Sequence, residues 1–259
     1  MRDRTLVAGR NRIPCMEVLA MADDGSVLAA MQTLADGEWV DLSHTLEEGI
    51  PSVPTHARYG HTLYQSYERG DTACHYRLTL GEHTGTHIDA PLHFIPDGDA
   101  HYDVATIPID RLAGRAATID VSDHGPQETV PVDRIEAWES EHGAIQEGDR
   151  VLFRFGWDRY WDTGEKGQQY LDGWPGLSGE AAEYLTDAGV TVVGCDTLAI
   201  DASGEDEFPA HYELLGNETY IVENLTNLEE LSPFSLLFTV PLKVEDGSGS
   251  PIRAFAVVD

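Results

Sequence analysis

A mixed α/β fold is predicted by three features of the sequence: recurrent short runs of β-branched and aromatic residues, fewer helical stretches set among them, and no strict strand–helix alternation. The strand-like runs are WVDLSH (39–44), YRLTLGEH (76–83), RAATIDVS (115–122), RVLFRFGW (150–157), VTVVGCDTLAID (190–201), FSLLFTVPLKV (234–244) and PIRAFAVVD (251–259). Several end in Gly, Pro or Asp, which punctuate strands.

The clearest helix is LSGEAAEYLTDAGV (177–190). Ser178 can cap it, Glu180 suits the positive end of its dipole, and Ala181, Ala182, Leu185 and Ala188 form an apolar stripe. Gly189 supplies the stop, and a strand follows at once, making an αβ unit. PVDRIEAWESEHG (131–143) and PAHYELLG (209–216) read as two more helices. The stretch 158–175, rich in Gly, Asp and Gln, reads as a long loop or flap. Residues 38–259 are expected to form one domain, and 1–37 a peripheral or poorly ordered N-terminal extension.

The 259 residues carry 46 acids against 16 bases, a formal net charge of −30, and the only lysines are Lys166 and Lys243. Such a surface repels nucleic acid and anionic membranes, so no partner of either kind is expected. The acids are interleaved with apolar residues rather than blocked in tails, a pattern that points to adaptation to high salt. The three cysteines, Cys15, Cys74 and Cys195, form no CxxC pair and suit a reducing cytoplasm. No apolar run reaches the roughly 20 residues of a membrane span, and the N-terminus lacks the apolar core of a signal peptide.

The strongest chemical signal is GEHTGTHIDAPLHF (81–94), which holds His83, His87, Asp89 and His93 within eleven residues. Imidazole and carboxylate are the usual ligands of zinc or manganese. Thr84, Gly85 and Thr86 disfavour helix and Pro91 closes the segment, so it reads as strand, turn and extended chain. Gly85 lets the backbone bend, and His87 and Asp89, two apart, share one side of an extended strand. His83, His87 and Asp89 are therefore expected to converge on a metal. Far downstream, His211 and Glu223 read by themselves as a helix-surface histidine and a strand-end acid.

HTGTHIDAPLHF resembles the signature of the metal-dependent cyclase family, which includes the bacterial kynurenine formamidases. WVDLSHTLEEGIP, GVTVVGCDTLAID, FPAHYELLG, IVENLTNLEEL and GSGSPIRAFAVV are similar to further family segments, so the likeness spans roughly residues 38–259. The resemblance implies a swivelling β/β/α domain with a mixed sheet core and few helices, assembled as a homodimer or homotetramer. It implies that His83, His87 and Asp89 bind metal, that His211 and Glu223 complete a second position bridged by Asp89, and that His93 is the catalytic histidine. Two zinc or manganese ions per subunit follow from it. Asp196 and Asp201 fall in a family motif without a role that the residues themselves reveal. The chain departs from the kynurenine formamidases at PSVPTHA (51–57): Val53 stands where they have a tryptophan, and Thr55-His56 replace Gly-Asp. An aromatic stacking surface is thus lost from the substrate pocket, for which Val53 and Phe94 are the candidate lining residues.

The expected activity is hydrolysis of a C–N amide bond in a small molecule by metal-activated water, arylformamidase-like first, with opening of a cyclic amide such as an isatin-type lactam as the alternative. In that reading the catalytic histidine that the resemblance implies, His93, would take the water proton and pass it to the leaving amine. A metal-binding protein without catalysis is the competing class. Trp157, Trp161, Tyr170 and Trp174 are further pocket candidates, with Trp157 better explained as a core anchor.

Overall fold

The computed structural model describes residues 27–259. The expected N-terminal extension lies outside the described residues up to position 26, as does Cys15, and the rest of it is mostly helix α1, Val27–Asp36. The chain divides into two compact units, of which the second, Trp39–Asp259, contains every candidate site residue.

In chain order the strands are β1 Glu38–Asp41, β2 Gly60–Gln65, β3 His75–Thr79, β4 His87–Asp89, β5 Ala113–Asp120, β6 Thr129–Val130, β7 Arg150–Arg154, β8 Gly176–Leu177, β9 Val192–Cys195, β10 Tyr220–Glu223, β11 Phe234–Phe238, β12 Gly249–Pro251 and β13 Phe255–Val258. The further helices are α2 Val132–His142, α3 Glu165–Tyr170, α4 Gly179–Asp187 and α5 Pro209–Gly216. Nine strands form one mixed sheet in the order β1-β13-β11-β5-β7-β9-β10-β4-β12. The centre, β5-β7-β9-β10, is parallel; β4 and β12 add antiparallel at one edge, and β11 and β13 at the other. This is the mixed α/β architecture with few helices that the sequence predicts.

Alternation along the strands sorts side chains onto two faces. Ala117, Ile119, Val151, Phe153, Val193, Cys195 and Ile221 pack with the apolar sides of α2, α4 and α5. Their neighbours Ala116, Leu152, Val192 and Val222 face the other way, onto Leu42, Ile88, Leu237 and Ala256. Cys195 is a buried core thiol, whereas Cys74 is exposed.

Helix α4 forms as its sequence dictates. Ser178 Oγ accepts a hydrogen bond from Ala181 N at 3.1 Å. Gly189, at φ +76°, closes the C-terminus with Gly189 N donating to Thr186 O and Val190 N to Leu185 O, a Schellman motif.

The stretch 158–175 is not a featureless flap, because it contains α3. Its aromatic residues are anchors rather than pocket lining, which corrects the wider list of candidates. Tyr170 is fully buried and donates from its hydroxyl to Asn224 Oδ1 at 2.8 Å. Trp157 Nε1 donates to Tyr170 O, Trp174 Nε1 donates to Asp201 O, and Trp161 stacks on His44 with ring centroids 4.0 Å apart. Segments this short carry too little periodicity to be read as helix, and Gly167 weakens the propensity further.

Strand β8 lies hard against 200–202. A Cβ at Gly176 would fall on the Ala202 nitrogen and the Ile200 carbonyl, backbone that cannot swing aside. Gly176→Ala is therefore expected to destabilise the protein by about 1–3 kcal/mol, the usual cost of overpacking. A urea midpoint unchanged from the parent would contradict this.

Candidate metal centre

The register of the sheet edge brings the acids to the histidines. Strand β4 contributes His87 and Asp89 to one face, and β10 runs antiparallel to it with Glu223 directly opposite His87. Gly85, at φ +65°, turns the chain into β4, and a side chain there would strike Leu46. The turn brings His83 back towards Asp89, with His83 Nδ1 2.6 Å from Asp89 Oδ1. Helix α5 supplies His211 from the helix-covered face, where it is buried.

The distances define one enclosed cluster. His87 Nε2 lies 3.3 Å from Asp89 Oδ1 and 3.4 Å from Glu223 Oε2. His211 Nε2 lies 3.3 Å from Glu223 Oε1 and 3.8 Å from Asp89 Oδ2. Two ligand triads result, His83–His87–Asp89 and Asp89–His211–Glu223, with Asp89 common to both. The structure thus brings together all five residues considered as metal ligands. It also corrects the plain reading of His211 as a surface histidine.

Hydrogen bonding fixes which nitrogens face inward. His87 Nδ1 sits 2.9 Å from the Gly85 carbonyl, which can only accept, so Nδ1 carries the proton. His211 Nδ1 is held at 2.5 Å by Asp201 Oδ2. In their neutral forms both rings therefore turn an Nε2 lone pair towards carboxylate oxygens, which are also lone-pair donors. Asp89 Oδ2 is enclosed and accepts no hydrogen bond from the described residues. Such facing lone pairs are balanced only by positive charge, a proton on each Nε2 or a shared metal ion, and this donor set fits a divalent metal ion.

The electrostatics have the same sense. Burial alone would lower the proton affinity of His87, but its bonds to Asp89 and Glu223 raise its pKa to about 10. His211 is raised to about 10 against burial by Asp201 and Glu223. Burial works to raise Asp89, yet His83, His87 and His93 hold its carboxyl well below the usual range. Glu223 is pushed up by burial and by Asp89, and bonds from His211 and His87 bring it below its ordinary value. The site is a pit of negative potential that draws positive charge.

Asp201, for which the sequence offered no role, has a clear one. Its two oxygens accept from Ala210 N at 2.9 Å and His211 N at 3.1 Å, so it caps α5 while orienting the His211 ring. The residue at the cap position itself, Phe208, offers no side-chain bond and is left-handed at φ +50°. Asp196, also unassigned, accepts from Phe155 N and Gly156 N. Burial and Asp158 push its carboxyl up to about 7. Asn224 donates to Gly85 O at 3.1 Å and receives the Tyr170 hydroxyl, tying the turn before β4 to α3. Contacts of this kind join segments as far apart as 139 positions, and no spacing rule in the sequence announces them.

A cavity of about 240 Å³ opens onto the cluster. Pro51, Val53, Phe94, Leu198 and Phe208 form its apolar wall, and His56 and His93 face into it. Val53 and Phe94 thus line the cavity as expected, with Phe208 and His56 added. His93 stacks on His83 with ring centroids 3.9 Å apart, and no hydrogen bond among the described residues holds its nitrogens. Burial, with the charges of His83 and His211, lowers His93 to about 4 in spite of Asp89 and Glu223. A larger cleft of about 460 Å³ lies elsewhere, but its Arg134 and Arg154 are already paired with Asp123 and Asp120, and neither ligand triad lines it.

The two acids should behave differently on removal. Asp89→Ala is expected to abolish divalent-metal binding, whereas Asp201→Ala should weaken it by about 10–100-fold, as loss of a supporting partner does. Competition against a chelator measures both, and equal effects would contradict the assignment.

The chain resembles known proteins in both sequence and structure. The sequence model of a family described as putative cyclase matches residues 40–202. An isatin hydrolase from Roseibium aggregatum is 35% identical over 197 residues, 70% of this chain and 73% of that one. A kynurenine formamidase from Bacillus mycoides is 29% identical over 217 residues, 84% of this chain and 96% of that one. The crystal structure of an isatin hydrolase bound to the product analogue thioisatinate superposes with a TM-score of 0.82 at 30% identity, covering 90% of this chain and 99% of that one.

Proposed function

The chain belongs to the cyclase family, and from that membership we propose that it is a metal-dependent hydrolase opening a compact cyclic amide fused to an aromatic ring, an isatin-type lactam. The observation that carries the hydrolase reading is the pair of inward Nε2 lone pairs meeting two buried carboxylates beside an apolar cavity.

Two features of the cavity favour a lactam. At about 240 Å³ it is smaller than the roughly 300–1,000 Å³ of pockets for drug-sized ligands, and Phe94 and Phe208 offer ring faces to a flat substrate. No lysine or arginine lines it among the described residues, so an amino-acid carboxylate such as that of N-formylkynurenine finds no cationic partner. N-formyl arylamines are the second reading, supported by the likeness to kynurenine formamidases across 84% of the chain.

A divalent ion held by His83, His87, Asp89, His211 and Glu223 would supply Lewis acidity, lowering the pKa of water from 15.7 to about 7 and polarising the carbonyl. The apolar wall orients the ring and excludes bulk water. His93 takes a proton from the attacking water as its oxygen bonds to the carbonyl carbon. As the C–N bond breaks, the same imidazole returns that proton to the leaving nitrogen. The products are a carboxylate and an aryl amine on one molecule.

Zinc or manganese in two positions extends this reading, supported by the two triads sharing Asp89. A homodimer or homotetramer is supported by the exposed β2–β3 ribbon, where Tyr64, Tyr76 and Leu78 stand in water on a two-stranded sheet too small to be stable alone. Adaptation to high salt is supported by the net charge of −30.

His93→Ala is expected to keep its metal and lose about 10²–10⁴-fold in kcat. Because burial lowers His93 to about 4, its base form persists well below the ordinary 6.5, so the acid limb of kcat/KM is expected far below pH 6.5. Full activity in the alanine variant would remove His93 from its role, and a limb at 6.5 that the variant abolishes would keep the role but contradict the lowered pKa. The substrate reading is tested by parallel assay of isatin and N-formylkynurenine with metal-loaded protein. A higher kcat/KM for isatin is expected; preference for N-formylkynurenine would establish the second reading, and hydrolysis of neither would overturn both.

A further inference from the structure

The segment GSGSP near the C-terminus was notable in the sequence but has no part in the chemistry above. Its structure bears on His83, the one ligand histidine whose orientation is not yet accounted for. Ser248 Oγ lies 2.9 Å from His83 Nε2 and 2.7 Å from Glu82 Oε2. Glu82 Oε2 also accepts from Ser248 N at 3.0 Å, and the Ser248 carbonyl accepts from Ala90 N at the end of β4. An ionised carboxylate accepts only, so the hydroxyl proton points to Glu82 and Ser248 Oγ must accept from His83 Nε2–H.

We propose that Ser248, held by Glu82, is a positioning residue that locks His83 in the tautomer whose Nδ1 lone pair faces the metal site. His83 then differs from His87 and His211, which turn Nε2 inward. The lock matters because His83 Nδ1 is 2.6 Å from Asp89 Oδ1. In the other tautomer an Nδ1–H bond would occupy that oxygen, and a proton would sit where the shared carboxylate must meet the ion. A second observation supports a built cradle: a Cβ at Gly249 would come within 2.7 Å of His83 Cε1, so the ring rests on bare backbone. Register fixes the cradle, since Gly249 pairs with Asp89 across β12 and β4.

The inference rests on the metal reading, and cobalt binding by the apoprotein separates the two. The wild-type apoprotein is titrated with Co²⁺ against a competing chelator, and the visible spectrum of the bound ion is recorded. Ser248→Ala is expected to bind Co²⁺ about 10–100-fold more weakly, with altered bands and an unchanged circular dichroism spectrum of the apoprotein. Ser248→Thr, which keeps a hydroxyl, should recover affinity and spectrum. Glu82→Gln should change little, because its amide oxygen still accepts the serine proton. Glu82→Leu should mimic Ser248→Ala, because the freed hydroxyl can then donate to Nε2 and favour the wrong tautomer; it carries the test if Ser248→Ala does not fold. Wild-type affinity and bands in Ser248→Ala or Glu82→Leu would overturn the lock while leaving the metal site standing. Absence of cobalt binding by the wild-type protein would overturn both.

Discussion

Two carboxylates buried within reach of one another, Asp89 and Glu223, are the constraint on which the rest of the structure depends. Each ion taken out of water costs several kcal/mol unless opposite charge and hydrogen bonds compensate. The surrounding groups are arranged to do so. Ile200 N donates to Glu223 Oε1 at 2.8 Å, and His83, His87 and His211 close around the remaining oxygens. With His87 and His211 committed through Nδ1 to other acceptors, the balance falls to positive charge at the inward Nε2 atoms, where the ligand set suits a divalent ion. The hydrogen-bond accounting of the protein itself thus calls for positive charge here, and the clustering of five ligand residues fits a metal.

Sheet topology makes that arrangement reproducible. Strand β4 is only three residues long, but it lies between β10 and β12 and takes its register from both. β10 delivers Glu223 across from His87, and β12 delivers the backbone against which His83 rests. Asp201 holds α5 by its first amides, so His211 is oriented by the group that anchors its helix. The cavity wall is continuous with this cage, because Phe94 stacks on His211 with ring centroids 4.3 Å apart and Phe208 precedes the helix that carries His211.

Much of this was legible in the sequence. The elements with strong local signals, such as α4 with its serine cap and glycine stop, could be read directly, because helix ends are fixed by neighbouring residues. The bend at Gly85 and the alternation of His87 and Asp89 likewise follow from local backbone rules. His211 and Glu223 were within reach only through family resemblance, since their own surroundings look like an ordinary helix and strand. The roles of Asp201, Asn224 and Ser248 could not be read at all. They act through hydrogen bonds to residues from ten to 165 positions away, and sequence carries no periodic trace of such contacts. Trp157 reads correctly as a core anchor, but Trp161, Tyr170 and Trp174 do not, because composition suggests a substrate surface and only packing shows them set against the core.

Anomalous scattering from crystals grown with manganese or zinc is the most direct test of the central claim. The account predicts strong peaks at coordination distance, about 2.0–2.2 Å, from His87 Nε2, His211 Nε2 and the Asp89 and Glu223 carboxylates. Density with no anomalous peak, and with the histidines hydrogen-bonded to those carboxylates as imidazolium ions, would show that protons alone balance the buried charge.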